Sequence, residues 1–140
     1  MNELVESPTA SDLEAIESHR SWIRECHPPE LGRKPEQFDR QLDLLDALIK
    51  GGWMDPAETA QLHCLGVILG DAFVEEKGFE WVMVKSGYSR EPAIRLPGSA
   101  VILYPIEIIS QKIEKGEAVD VPALFEGICA IADHQRNRAE

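Results

Sequence analysis

The sequence predicts an α+β domain in which a small three-stranded antiparallel meander packs with about five helices, in the order ααα-βββ-αα. Apolar residues recur at the 3.6-residue spacing of helices up to about residue 76, and again from residue 105 onward. Between these segments, short β-prone runs alternate with turn-forming residues. Strands joined by such short turns must be antiparallel, because parallel strands need long crossover connections.

Two helices are predicted in the first 50 residues. Ser11 and Glu14 match a capping box, which begins a helix over residues 11–26. Pro35 suits the first turn of a second helix, and the glycine at Gly51 ends it. The predicted apolar faces comprise Leu13, Ile16 and Ile23 in the first helix, and Phe38, Leu42, Leu45 and Ile49 in the second.

The third helix carries two glycines on one face. It is predicted to begin at Asp55-Pro56-Ala57-Glu58 and to end at Gly78. Gly66 and Gly70 lie in its interior, where each costs about 1 kcal/mol relative to alanine. We expect another element to pack closely against them, and a ligand approaching the bare backbone is the alternative. The predicted core face is Leu62, Leu65, Leu69 and Phe73.

Three strands are predicted directly after the third helix. Residues 80–84, 93–96 and 100–104 are predicted to form the meander, with turns at 85–89 and at Pro97-Gly98. The first strand has apolar residues at successive positions, so both faces of the sheet carry apolar side chains. Either helices cover both faces of the sheet, or one face binds a ligand or a partner.

Two helices complete the predicted fold. Pro105 begins the first of them and Gly116 ends it, and the last helix covers residues 121–135. The predicted core residues are Ile106, Ile109 and Ile113 in the first, and Leu124, Ile128 and Ile131 with Phe125, Cys129 and Ala132 alongside in the second. We expect one domain over residues 1–140, with polar tails at 1–10 and 136–140, a helical pair at 11–50 and an α+β core at 55–135.

Charge excludes some classes of partner. The chain has 14 basic and 25 acidic residues and a net charge of −11, so phosphate backbones and anionic lipid surfaces repel it. A basic protein partner is compatible with this charge, and the alternative is a surface that only keeps the domain soluble. No apolar run is long enough to span a membrane, and residues 1–17 have no secretory h-region, so we expect a cytoplasmic protein.

Residues capable of catalysis or metal binding are present but poorly arranged. The cysteines, which we expect to be reduced core residues, are Cys26, Cys64 and Cys129. The histidines, whose spacing does not predict a metal site, are His19, His27, His63 and His134. Asp71 and Glu75 form an i,i+4 carboxylate pair, which we expect on a solvated helix face. The sequence therefore predicts no catalytic residue, no metal and no cofactor.

Three segments resemble a bacterial family, the domain of unknown function family 3806. They are LGVILGDAFVEEKGFEWV at 65–82, AIRLPGSAVILYP at 93–105 and KIEKGEAVDVPALF at 112–125. The resemblance covers roughly residues 62–133. It implies the same order of elements and a bacterial source, and it brings no assigned catalytic residue.

Two functions are compatible with these features. The leading hypothesis is a non-enzymatic protein-binding or regulatory module, one version of which is an acidic immunity-type protein that neutralises a basic toxin. The alternative is a small-molecule-binding or enzymatic domain with a pocket near the sheet. The candidate ligand or partner contacts are Gly66, Gly70, Trp81 and Tyr88. A deep cavity with converging polar groups would favour the alternative.

Overall fold

The computed structural model describes residues 4–26, 34–51 and 58–139, and of Cys26 and residues 135–139 only the backbone. The chain is α+β, as predicted, with five α-helices and a four-stranded antiparallel sheet in the described residues. The elements are β1 (Leu4–Glu6), α1 (Ala10–Cys26), a 3₁₀ turn (Pro35–Gln37), α2 (Gln41–Lys50), α3 (Thr59–Lys77), β2 (Glu80–Ser86), β3 (Ser89–Arg95), β4 (Ile102–Leu103), α4 (Pro105–Glu114) and α5 (Val121–Ala139).

The sheet has one strand more than predicted. Its order is β1-β2-β3-β4, and β1 pairs with β2 so that Leu4 lies opposite Lys85 and Glu6 opposite Met83. The predicted polar tail over residues 1–10 was therefore wrong for this segment. A three-residue edge strand has no periodicity of its own, and its partner lies far along the chain, so no local pattern marks it.

A tight hairpin joins β2 and β3. Its two-residue turn is Gly87-Tyr88, shorter than the predicted turn at 85–89, and β3 begins at Ser89 rather than at residue 93. Gly87 has a φ of 61°, which glycine adopts without the strain that a Cβ would cause. Tyr88 stands at the tip and is fully exposed.

Both faces of the sheet are shielded at its centre. Val82, Val84 and Ala93 are buried on one face, where Ile102 and Tyr104 pack against them. The opposite face of the sheet belongs to the main core, to which the strands contribute Ile94 and the partly buried Trp81. The apolar residues at successive positions of β2 are thus explained by burial on both sides.

The main core forms around α3. The four residues of its predicted core face, Leu62, Leu65, Leu69 and Phe73, are all fully buried. The ring of Phe73 lies 4.6 Å from that of Phe125 and 5.5 Å from that of Phe79, which ties α5 and the start of the sheet to this helix.

The predicted core residues of α5 are confirmed except for Ile131, with Leu124 and Ile128 partly buried against the core. Phe125, Cys129 and Ala132 are buried, whereas Ile131 is 61% exposed. Leu13 of α1 is also half exposed, while Ile16 and Ile23 are buried as predicted. The apolar runs in α5 are wide enough to allow either phase, and packing against α2 and Phe73 selects one.

Two helix starts differ from prediction. The capping box of α1 is formed by Thr9 and Asp12, not by Ser11 and Glu14: Thr9 N donates to Asp12 Oδ2 at 2.8 Å and Asp12 N to Thr9 Oγ1 at 3.1 Å. The second helix begins at Gln41, after the 3₁₀ turn that Pro35 starts.

A residue on another helix caps α2. Gln41 N donates to Glu75 Oε2 of α3 at 3.0 Å, a long-range contact that sequence pattern does not show. The predicted start of the third helix at residues 55–57 lies outside the described residues. Among the residues that are described, no helix has the length and apolar character needed to cross a membrane.

We expect Cys64 and Cys129 to react slowly with a thiol reagent in the native protein, because both thiols are buried and neither forms a disulfide in the described structure. Burial also raises the pKa of Cys129, which lowers its thiolate fraction. Labelling with iodoacetamide, followed by peptide mass spectrometry to separate these sites from Cys26, should show fast modification only after denaturation. Rapid labelling of both in the native state would contradict their place in the core.

Candidate functional site

A half-open groove of about 530 Å³ lies between α1, α4 and the middle of the β2–β3 hairpin. We call it the groove throughout. Its volume falls in the range of about 300–1,000 Å³ that is usual for ligand sites. The residues that line it are Asp12, Ala15, Ile16, His19, His63, Met83, Glu91, Pro92, Tyr104, Ile106, Glu107, Ser110, Gln111 and Glu114.

Each helical wall of the groove is one face of a helix. The lining residues of α1 are Asp12, Ala15, Ile16 and His19, which follow the i, i+3, i+4, i+7 spacing of a single face. Those of α4 that follow Ile106 have the same spacing, and they are Glu107, Ser110, Gln111 and Glu114. The α1 wall is mixed, whereas the α4 wall is polar apart from Ile106.

Two imidazoles lie at the junction of α1 and α3. The rings of His19 and His63 are 6.0 Å apart in an edge-to-face arrangement, and His19 Nδ1 shares a 3.5 Å hydrogen bond with Cys64 Sγ. Burial, and then the neighbouring His63, lower the pKa of His19, so its ring is neutral at pH 7. This part of the groove therefore presents His19 as a dipole rather than a positive charge.

Carboxylates give the groove its charge. Asp12 is already paired, since Arg90 Nη1 and Nη2 donate to its two oxygens at 2.6 and 2.7 Å, and this bond holds the pKa of Asp12 well below its ordinary value. Glu91, Glu107 and Glu114 also line the groove, and no lysine or arginine is among its described lining residues. The electrostatic potential in the groove thus favours a cation.

Ser110 lines the groove and has a buried hydroxyl without a hydrogen-bond partner in the described structure. Its Oγ is shielded from solvent and makes no hydrogen bond within the described part of the chain. A serine inside a helix usually bonds the carbonyl four residues earlier or faces water, and Ser110 does neither. An unsatisfied buried hydroxyl costs free energy, and because solvent does not reach this oxygen, a ligand in the groove cannot contact it without a local rearrangement.

The predicted contact residues lie beside the groove rather than in it. A Cβ on Gly66 would overlap the Cα of Ile106, and one on Gly70 would overlap the ring of Trp81, so the expected close packing is present at both glycines. Tyr88 is at the hairpin tip. The glycines therefore position α4, whose Ile106 lines the groove, and the four predicted residues do not converge on one site.

The prediction for Asp71 was wrong. It is not a solvated residue: its side chain is 16% exposed, and Arg20 of α1 donates to both of its oxygens at 2.7 and 2.8 Å. Trp81 Nε1 also donates to Asp71 Oδ1 at 3.0 Å. This carboxylate joins α1, α3 and β2, and so it holds the α1 wall of the groove in place.

The groove was not predicted from the sequence, although part of the residue pattern that forms it is visible there. The polar face of α4 can be seen in the helical spacing of Glu107, Ser110, Gln111 and Glu114, and no prediction was drawn from it. The approach of His19 to His63 and Cys64 depends on how α1 packs on α3, which no spacing within one helix reveals. Among the described residues, no group of three or more His, Cys, Asp or Glu could hold a metal ion.

A family model for a domain of unknown function, DUF3806, matches residues 41–125. The chain belongs to this family. The matched segment runs from the start of α2 into α5, so it includes the α4 wall, His63 and the hairpin, whereas α1 precedes it. Membership confirms the resemblance seen in the sequence, and the match extends to α2 on the N-terminal side.

The DUF3806 fold is also seen in a solved structure. The chain is similar to a crystal structure from Bacteroides thetaiotaomicron VPI-5482, with a TM-score of 0.76 and 16% identity. The similarity covers 92% of this chain and 48% of that one, so the chain spans about half the length of that protein. At this identity the likeness is one of fold alone. No curated protein matches the sequence.

Proposed function

We propose that this DUF3806 domain is a non-enzymatic binding module that recognises a basic protein partner through the groove. The observation that carries the proposal is the charge of the groove lining: Glu91, Glu107 and Glu114 line it, and the arginine at its edge, Arg90, is paired with Asp12. The chain as a whole carries a net charge of −11, so a basic partner is attracted at long range as well as at contact. An immunity-type protein that neutralises a basic toxin is one specific version.

The state of the ionisable groups supports binding rather than catalysis. General acid–base catalysis needs a group that is both desolvated and free to exchange a proton. Asp12 is held by Arg90, and His19 is bonded to Cys64. Glu91 and Glu114, in contrast, are exposed. The least exposed of these carboxylates, Asp12, is thus already paired, whereas Glu91 and Glu114 can be reached from solvent. This arrangement suits recognition of a positive charge.

A small-molecule ligand is the second candidate. The groove volume of about 530 Å³ favours it, since pockets of this size hold compounds of moderate mass. This site differs from the pocket first expected near Trp81, Tyr88 and the glycine face of α3. The two candidates differ in what they bind, and the same experiment separates them.

We expect a basic protein to bind the immobilised domain from an extract of the native host at about 0.15 M salt and to elute toward 1 M. Screening shortens the Debye length from about 8 Å to about 3 Å over this range. The captured protein would then be purified and its affinity measured for two variants. Neutralising the groove in Glu91→Gln/Glu107→Gln/Glu114→Gln should weaken binding at least about tenfold, as expected for the loss of charge-assisted hydrogen bonds.

The matched control is Glu25→Gln/Asp39→Asn/Glu117→Gln, which removes the same amount of charge at exposed sites that do not line the groove. It should bind nearly as tightly as the wild type. Equal losses for the two variants would show that overall charge matters and the groove does not. Salt-insensitive capture would contradict the electrostatic proposal, and a copurifying metabolite in the groove would favour the second candidate.

A further inference from the structure

The contact between α1 and α3 contains two histidines. His19 lies on the buried face of α1, one turn from Ile16 on one side and one turn from Ile23 on the other, both of which are buried. On α3, the ring of His63 lies 6.0 Å away and edge-on, and Cys64 Sγ is 3.5 Å from His19 Nδ1. We call His19 and His63 the imidazole pair. Both rings are half-buried and line the groove, so solvent protons reach them.

A positive charge on His19 fits this contact poorly. Protonation makes Nδ1 an obligatory donor, and its hydrogen-bond partner, the sulfur of Cys64, is a weak acceptor. The charge would also lie beside the second imidazole and between two buried isoleucines. Burial first, and then the neighbouring His63, accordingly lower the pKa of His19. The helix α1 therefore docks best on α3 while His19 is neutral.

The charged groups around the imidazole pair do not offset this cost. On α1, Asp12 is held by Arg90 of β3, and Arg20 is held by Asp71 of α3. The other carboxylates that line the groove lie on β3 and α4, and they are Glu91, Glu107 and Glu114. None of these carboxylates forms an ion pair with either histidine among the described residues. The imidazole pair thus has no counter-charge in direct contact.

We propose that the imidazole pair is a pH-sensitive contact, which holds α1 on α3 while it is neutral and loosens α1 when mild acid protonates it. This inference goes beyond the proposed function, because it is independent of what the groove binds. The loosening is local, since Ile16, Ile23 and the Arg20–Asp71 pair still attach α1 to the rest of the domain. Acid would thereby weaken the α1 wall and any binding that depends on it.

The pH range of the effect follows from linkage. A histidine titrates near pH 6.5 in an unfolded chain, and the pKa of His19 is lower than this in the native protein. Its contribution to stability is therefore complete above about pH 6.5, and it is lost as the pH falls from there through the lowered native pKa. The pKa values of Asp12 and Glu17 are also lowered, from ordinary values of 3.8 and 4.5. The ion pairs of these two carboxylates consequently weaken only in stronger acid.

The test is hydrogen–deuterium exchange of the ¹⁵N-labelled domain, followed by NMR at about pH 7.5 and about pH 5.5. The rates are corrected for the intrinsic effect of pH on amide exchange. We expect the amides of α1 to exchange several-fold faster at the lower pH, relative to those of the buried segment of α3. The ring protons of His19 should titrate at a lower pH than those of a histidine in an unfolded peptide.

Variants assign the effect to the imidazole pair. His19→Gln keeps a polar side chain that takes up no proton, and it should abolish the change in α1 exchange between the two pH values. His63→Gln should reduce this change, because it removes the neighbouring charge and leaves His19 in place. His134→Gln is the matched control, since His134 is exposed on α5 and does not line the groove. This control should respond to pH as the wild type does.

Three results would overturn the inference. The first is α1 exchange in the wild type that is equal at the two pH values, and the second is an equal acceleration in His19→Gln. The third is an acceleration that begins only below about pH 4.5, which would assign the effect to carboxylates. Equal acceleration in α1, α3 and α5 would indicate global unfolding and would contradict a local loosening. No partner is added in this experiment, so its failure would leave the proposed function standing.

Discussion

Replacing Gly66 with alanine is expected to destabilise the protein by about 2 kcal/mol. The new Cβ would overlap the Cα of Ile106, a backbone atom, so α3 and α4 would have to move apart. Overpacking of this kind costs about 1–3 kcal/mol or more, and it outweighs the gain of about 1 kcal/mol that alanine brings to a helix interior. Urea unfolding followed by far-UV circular dichroism measures the change in the free energy of unfolding.

Gly127 provides the matched control, because it also lies within a helix but nothing approaches the position of its Cβ. Gly127→Ala should stabilise the protein by up to about 1 kcal/mol through helix propensity alone. The two substitutions are chemically identical and should have opposite signs. If Gly66→Ala also raises the urea midpoint, the contact between α3 and α4 is not tight, and the position of the α4 wall needs another explanation.

Removing the carboxylate of Asp71 is expected to cost about 2–3 kcal/mol. Asp71→Ala leaves the Arg20 guanidinium and the Trp81 indole N–H without the acceptor that they share. Breaking a buried pair by removing one partner costs about 3–5 kcal/mol, and partial exposure of Arg20 to solvent reduces that figure. Unfolding measurements give the cost, and the indole proton signal of Trp81 should shift because its hydrogen bond is lost.

Asp46→Ala is the control for charge. Asp46 forms a 2.9 Å ion pair with Lys50, whose side chain is 73% exposed, in the i,i+4 arrangement of α2. Pairs of this kind contribute about 0.3–0.5 kcal/mol. If Asp71→Ala cost no more than Asp46→Ala, hydrogen bonds to water would replace those of Arg20 and Trp81 to Asp71 without loss. The apolar residues of α1 would then be sufficient to hold that helix in place.

Elements whose signals are local were predictable from the sequence. The core face of α3 follows from its 3.6-residue periodicity, and its end follows from Gly78, which has a φ of 74° in the left-handed region that favours glycine. Pro105 likewise marks the start of α4. The close approach at Gly66 and Gly70 was predicted because two glycines in one helix interior need compensation.

Features that depend on distant pairing were not predictable in this way. Asp71 looks like half of an exposed carboxylate pair until Arg20 is brought to it across 51 residues. The capping box of α1 also shows the limit of a motif, since Thr9–Asp12 and Ser11–Glu14 fit the pattern similarly and only contacts decide between them. Arg90 binds Asp12 and Glu6 together, a long-range contact that favours the Thr9–Asp12 box.

The attachments of β1 and α1 have a consequence for the order in which the chain folds. Arg20 pairs with Asp71, and Arg90 reaches Asp12 across 78 residues and Glu6 across 84. β1 and α1 therefore cannot complete their docking until the residues up to Arg90 have been made, and closing loops of this length delays the docking further. Meanwhile Ile16 and Ile23, which are buried in the native state, remain open to other chains. The groove consequently cannot assemble before both the β2–β3 hairpin and α4 have been synthesised.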